Sequence, residues 1–223
     1  MAQIDKNTVA VKDQLKPNEA VTFERLKGNG KRVMFVGNSI TRHGIDHQIG
    51  WHWDFGMAAS SIDKDYVHLL IKHILADDPD AAFCICQVWE WELNYRDGEK
   101  VLDKYAPARA FEADVIIMRC IENCAVKDFD SEAFCREYKK LIDYLNPTGR
   151  AKVILTTSFW NHPEGDRAIK SVAAERGYPA AYLGDLGEDD SMKAIGLFEH
   201  DGVANHPGDK GMAAIAERIA ALL

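Results

Sequence analysis

Three polar residues of this 223-residue chain follow or precede segments patterned as strands and helices, and their types could together carry acyl transfer. Ser39 lies in Gly37-Asn38-Ser39-Ile40-Thr41, directly after an apolar run over residues 33–36. A serine hydroxyl becomes a useful nucleophile when a neighbouring base takes its proton. His206, fixed by the following Pro207 and with Asp201 five positions upstream, suits such a base with an orienting carboxylate. Asn123 follows the apolar run 115–118, and its side-chain amide could donate to a developing oxyanion. Each also has a plainer reading taken alone: Ser39 as a helix cap, Asn123 as a turn former, His206 as a structural residue.

Other chemistries fit the sequence less well. No Gly-x-Ser-x-Gly elbow occurs, and neither Gly28-Asn29-Gly30-Lys31 nor the Ser39 segment completes a phosphate loop. His43 and His47 are four apart, a spacing zinc ligands use on a helix, but Gly44 stands where a catalytic Glu would be. Gly44 and Gly50 favour a loop over residues 42–54, either shaping a pocket beside Ser39 with Trp51 and Trp53 or packing as an aromatic cluster. Trp89-Glu90-Trp91-Glu92 alternates with period two and reads as continuing or flanking the strand before it, with buried packing favoured over a partner or polysaccharide contact. The run Glu188-Asp189-Asp190 reads as a solvated loop.

The elements that must position these residues alternate. Short apolar runs over 33–36, 81–88, 115–118, 153–155 and 180–183 have the length and composition of strands buried on both faces. Helical spacing appears over 63–75, 131–145, 164–176 and 209–223. Strands alternating with helices predict parallel pairing through right-handed crossovers, hence an α/β fold: a three-layer α/β/α sandwich on a five-stranded parallel sheet. Ligands of such sheets bind beyond the carboxyl ends of the strands, where Ser39 and Asn123 lie. Residues 1–30 read as an extension packed on a domain spanning 31–223.

The segments Gly37-Asn38-Ser39-Ile40 and Asp201 to Pro207 resemble the first and last sequence blocks of the SGNH hydrolases, the GDSL-type esterases and lipases. The resemblance covers roughly residues 32–222. It implies a flavodoxin-like fold and a serine esterase that needs no cofactor, acting through an acyl-enzyme on a small acyl group such as acetyl, carried on a sugar. It assigns Ser39 as nucleophile, His206 as base and Asp201 as the orienting acid. It places the oxyanion donors on the N–H groups of Ser39 and Ala59, with Gly56 as the fallback for Ala59, and on the amide of Asn123. Three departures stand out. The third block reads Ile121-Glu122-Asn123-Cys124 where the family has Gly-x-Asn-Asp, Ala59 replaces a Gly, and Asp201 is five rather than three residues before His206. Glu199 or a backbone carbonyl could therefore replace Asp201, and a non-catalytic carbohydrate-binding protein on the same fold is the alternative function.

Composition narrows the partners. With 27 Lys and Arg against 35 Asp and Glu, the net charge of −8 disfavours nucleic acid, which calls for a basic face. No apolar run approaches the ~18 residues of a membrane span, and the first 25 residues hold no apolar leader core. Five cysteines without a CxxC pair read as reduced core thiols, with no metal site. The expectation is a cytoplasmic protein with a small-molecule or carbohydrate ester as its partner, its oligomeric state open and a homo-oligomer among the options.

Overall fold

A computed structural model describes residues 15–223. Six strands, the edge strand β1 (Val21–Glu24) and the parallel β2 (Arg32–Gly37), β3 (Ala82–Gln87), β4 (Val115–Arg119), β5 (Lys152–Thr156) and β6 (Ala180–Ala181), form one sheet in the order β1-β3-β2-β4-β5-β6. Side chains of β2 alternate between two cores because successive residues of a strand point to opposite faces. Met34 and Val36 pack on one side with Phe134, Tyr138 and Ile169, and Val33 and Phe35 on the other with Tyr66, Leu70 and Ile215. The first side carries α4 (Ser131–Leu145) and α5 (Pro163–Arg176), and the second α1 (Tyr66–Asp77) and α7 (Asp209–Ala220). Both cores are continuous, so both faces of the sheet are dry and its runs read as unbroken apolar stretches.

One expectation is corrected and another narrowed. The sheet has a sixth strand, β1 (Val21–Glu24), which lies within the segment read as an extension and pairs antiparallel with β3, Val21 opposite Cys86. The Asn18 side chain accepts from the N–H groups of Ala20 and Val21 and turns the chain onto that edge. The rest of the predicted extension, residues 1–14, lies outside the described residues. The second is narrowed to one of its two readings: residues 89–92 flank β3 as the start of a short helix, α2 (Trp89–Leu93), rather than prolonging it. Trp91 and Glu92 are adjacent and both fully buried, a pattern that a two-sided strand with one solvent face would not give. Two further short helices, α3 (Ala106–Ala110) and α6 (Asp201–Ala204), complete the helical set used below.

Cys84, Cys86, Cys120 and Cys124 are buried and unbridged, and Cys135 is half-buried. Burial pushes the four buried thiols up, which keeps them protonated. No helix among the described residues is long and apolar enough to cross a membrane.

In this strand order the chain steps from β2 to β3 on one side, then crosses back to β4 on the other. The carboxyl ends of β2 and β4 therefore flank the point where strand order reverses, where a crevice opens in folds of this kind.

Candidate active site

Strand β2 ends in a turn that lifts Ser39 out of the sheet. The carbonyl of Asn38 accepts from the N–H groups of Thr41 and Arg42, both at 2.9 Å, closing the turn. Gly37 is required there: a Cβ would stand 1.9 Å from Thr41 Oγ1 and 2.9 Å from the carbonyl oxygen of Arg119. His206 meets the serine from the far side of the crevice, with its Nε2 2.8 Å from Ser39 Oγ.

The other imidazole nitrogen decides the tautomer. His206 Nδ1 lies 2.6 Å from the carbonyl oxygen of Gly202. A carbonyl only accepts, so Nδ1 carries the proton and Nε2 turns its lone pair to the Ser39 hydroxyl. Gly202 sits in α6, four residues before His206, and this single turn brings its carbonyl to the ring. The ring of Trp160 packs edge-on against the imidazole at 4.9 Å, and its indole N–H donates to the carbonyl of Asn205. Burial holds the imidazole pKa down to about 4, only partly offset by the Gly202 bond, and the Arg119 charge lowers it further.

Asp201 does not hold the histidine. It is the first residue of α6 and exposed, and its main-chain carbonyl receives Asn205, while the position on Nδ1 is taken by Gly202. Glu199 is exposed as well and lines a different cavity, with His47 and His52. The arrangement is a Ser–His pair steadied by a main-chain carbonyl. Asp201→Asn and Glu199→Gln are each expected to change kcat on an activated ester by less than about twofold. A loss of tenfold or more in Asp201→Asn would show that its carboxylate acts after all.

The main-chain N–H groups expected to face an oxyanion are only partly free. The N–H of Ala59 is bonded to the carbonyl of Gly56, and that of Gly56 to the buried Asp65 carboxylate at 3.0 Å, so neither is available. The residue between them and the nucleophile is Met57, whose N–H donates to Ser39 O and draws this loop onto the serine turn. Next to it, Ala58 adopts φ +73°, a left-handed conformation that costs a non-glycine residue energy. Among the described residues no acceptor meets the N–H of Ala58 or that of Ser39. The free N–H in this loop is thus that of Ala58, one position before the expected Ala59.

Asn123 borders the same crevice of about 370 Å³ as Ser39, Met57, Val203 and His206. Its Nδ2 donates to Glu92 Oε2 at 2.6 Å. Asn38 Nδ2 donates to Glu92 Oε1 at 3.0 Å and to Glu122 Oε2 at 2.7 Å, while Arg119 donates to Glu122 and to Asn38 Oδ1. Burial, with the neighbouring Glu122 charge, pushes the Glu92 carboxyl up to about 7. Trp51 is buried against Phe55 and Phe198 with the exposed Trp53 at its edge, an aromatic cluster in which neither tryptophan lines the crevice. The same loop gives the crevice His43 and Ile49 instead. His47 and His52 face each other at 2.9 Å, yet no group of three or more His, Cys, Asp or Glu among the described residues is placed to hold a metal ion.

No family's sequence model matches the chain, and no curated protein sequence matches it. Solved structures do. A lipase/acylhydrolase from Enterococcus faecalis matches with a TM-score of 0.58 at 17% identity, over 86% of this chain and 94% of that one. A psychrotrophic esterase from Pseudoalteromonas sp., solved in a form inhibited by monoethylphosphonate, gives 0.56 at 11% identity, over 86% and 96%. A catalytic mutant of an acetylxylan esterase from Geobacillus stearothermophilus gives 0.53 at 15%, over 87% and 94%. The chain has the SGNH hydrolase fold. Within that fold, Ser39 and His206 occupy the expected ends of the first and last blocks and meet in space. The Nδ1 partner of His206 is the Gly202 carbonyl rather than a carboxylate, and Glu92 of α2 bonds to Asn123. The sequence allows a backbone carbonyl on the imidazole without saying that it is that of Gly202, and it marks neither Ala58 nor Glu92. An alanine at positive φ has no sequence signature, a carbonyl has none at all, and Glu92 was hidden in an alternation that spans only four residues.

Proposed function

We propose that this protein is a serine ester hydrolase that removes a small acyl group, acetyl above all, from a carbohydrate. The observation that carries the reading is the 2.8 Å contact of Ser39 Oγ with a histidine nitrogen whose tautomer the Gly202 carbonyl fixes as acceptor. In the first half-reaction Ser39 Oγ bonds to the ester carbonyl carbon while its proton passes to His206 Nε2. The N–H groups of Ser39 and Ala58 and the amide of Asn123 receive the oxyanion. Collapse breaks the bond to the alcohol oxygen, which leaves with the proton from Nε2. Water then repeats the sequence on the acyl-serine and frees the acid. The imidazolium that forms between these steps faces the Gly202 carbonyl, whose partial charge orients the ring but stabilises the cation less than a carboxylate would.

The crevice supports a small acyl group. Met57, Ile49 and Val203 give it apolar walls within about 370 Å³, and Trp89, 46% exposed at the rim, offers a flat aromatic face of the kind sugars pack on. One of the structurally similar proteins is an acetylxylan esterase, which agrees with this choice. The test is kcat/KM on p-nitrophenyl esters of rising chain length and on acetylated xylo-oligosaccharides, followed against pH. Acetate esters should lead, and in Glu92→Gln, which lacks the buried carboxyl held near 7, the rate should fall on the acid side only near pH 4. That limb follows from the depressed His206 pKa: above about 4 the ring is neutral and accepts the serine proton, below it the ring is charged and cannot. Preference for long-chain esters would overturn the substrate, and an acid limb near the unperturbed 6.5 of histidine would overturn the buried state of the base.

A further inference from the structure

The third block lacks the aspartate that follows its asparagine in the resembled family, having Cys124 there, and a buried acid from another part of the chain meets the same turn. Glu92 is 0% exposed. One of its oxygens takes the N–H of Ile121 and the amide of Asn38, next to Ser39, and the other takes the amide of Asn123. Its main-chain carbonyl takes the thiol of Cys124 at 3.4 Å. A single side chain thus grips the start and the functional residue of the Asn123 turn and ties both to the turn of the nucleophile.

We propose that Glu92 is a positioning residue for the reaction, holding one N–H of the Asn123 amide so that the other is presented to the oxyanion; the inference rests on the esterase reading above. An amide NH₂ is planar with two donors. Spending one on a fixed carboxylate sets the direction of the second, and among the described residues no other acceptor takes it. The arrangement is expensive for the fold. The charged groups around Glu92 are Glu122, whose charge Arg119 meets directly, and Arg119 itself, which bonds to Glu122 and Asn38 rather than to Glu92. The buried thiols of Cys120 and Cys124 also face it. A buried carboxyl held by neutral donors and beside a second acid is retained at a cost in stability, as its raised pKa reflects.

Substituting the carboxylate with an amide makes a sharp test. Glu92→Gln can still accept from Ile121 and Asn38 through its one oxygen, but it turns an N–H donor toward Asn123. The asparagine amide then flips, and its oxygen, not its nitrogen, faces the substrate oxyanion. Kinetics on p-nitrophenyl acetate are measured for wild type, Glu92→Gln, Asn123→Ala and the double variant, with near-UV circular dichroism to establish the fold. Glu92→Gln should lower kcat by ~10–10² with KM within about threefold, and should cost less than about twofold in the Asn123→Ala background. Equal losses in both backgrounds, or no loss in the wild-type background, would overturn the role and leave Glu92 a structural acid. If Glu92→Gln does not fold, Glu92→Asp, which keeps the charge but withdraws it by one methylene, enters the same cycle with the same expected coupling. Absence of any turnover that depends on Ser39 would overturn the esterase reading and this one with it, whereas uncoupled losses overturn this one alone.

Discussion

Ser39→Ala is expected to reduce ester turnover by at least ~10³-fold while the protein keeps its fold. Removing a nucleophile that acts as a unit with its base typically costs several orders of magnitude in kcat, and what remains comes from the oxyanion donors alone. The structural cost is small. Ser39 is half-buried at the mouth of the crevice, and the turn that presents it is closed by the main chain of Asn38, Thr41 and Arg42, none of which the substitution touches. The lost contact is the single one to His206 Nε2. Steady-state kinetics on p-nitrophenyl acetate, beside thermal unfolding of the same variant, check the statement. More than a tenth of the activity surviving in a folded Ser39→Ala would remove the serine from its role.

The second large effect belongs to Asn123. Asn123→Ala should lower kcat by ~10²–10³ with KM within about threefold, because an oxyanion donor interacts with a charge that is present only in the transition state. The two main-chain donors proposed at Ser39 and Ala58 would remain and set a floor under the rate. The variant also leaves Glu92 Oε2 without its amide partner. An unfolding loss of about 1–3 kcal/mol is expected for an acceptor left unpaired in a buried site. The kinetic and the thermodynamic effect are separable, because the first is read at saturating substrate on folded protein. A change confined to KM would place Asn123 in substrate binding instead.

Much of the scaffold could be read directly, because strands buried on both faces and helices with one apolar stripe leave strong periodic marks. The helix expected over 131–145 has those bounds in α4, and the runs around residues 33, 82, 115 and 153 are strands within a residue or two. β1 was missed because four residues at an edge, with three of them half-buried, carry no periodic pattern of their own. Its place is set by the hydrogen bonds β3 leaves open on that side. Trp89 to Glu92 stayed open for a related reason: alternation over four residues cannot tell a strand from one turn of helix whose buried face takes neighbouring residues.

In the site, residue types were legible and backbone geometry was not. Ser39, Asn123 and His206 are side chains with chemistry of their own, and their order along the chain was enough to bring them to one crevice. Along the chain Asp201 is the nearest upstream Asp in a motif-like position, with Glu199 and a backbone carbonyl as the other candidates. Residues 201–204 form a helical turn instead, so the group that reaches the imidazole is the carbonyl of Gly202. Ala58 was missed by one position because the deciding feature is a left-handed φ and an N–H with no acceptor, neither of which an alanine announces.

The measurement that bears most directly on the reaction is covalent capture of the nucleophile. The protein is incubated with a fluorophosphonate, which phosphonylates a serine only where a base has activated it and donors receive the anionic oxygen. Peptide mass spectrometry then locates the adduct. One adduct per chain is expected, on the peptide holding Gly37-Asn38-Ser39-Ile40, absent in Ser39→Ala and formed at an undiminished rate in Asp201→Asn. A chain that stays unlabelled while binding acetylated oligosaccharides, or one labelled at another serine, would contradict the assignment of Ser39 and His206 as a working catalytic pair.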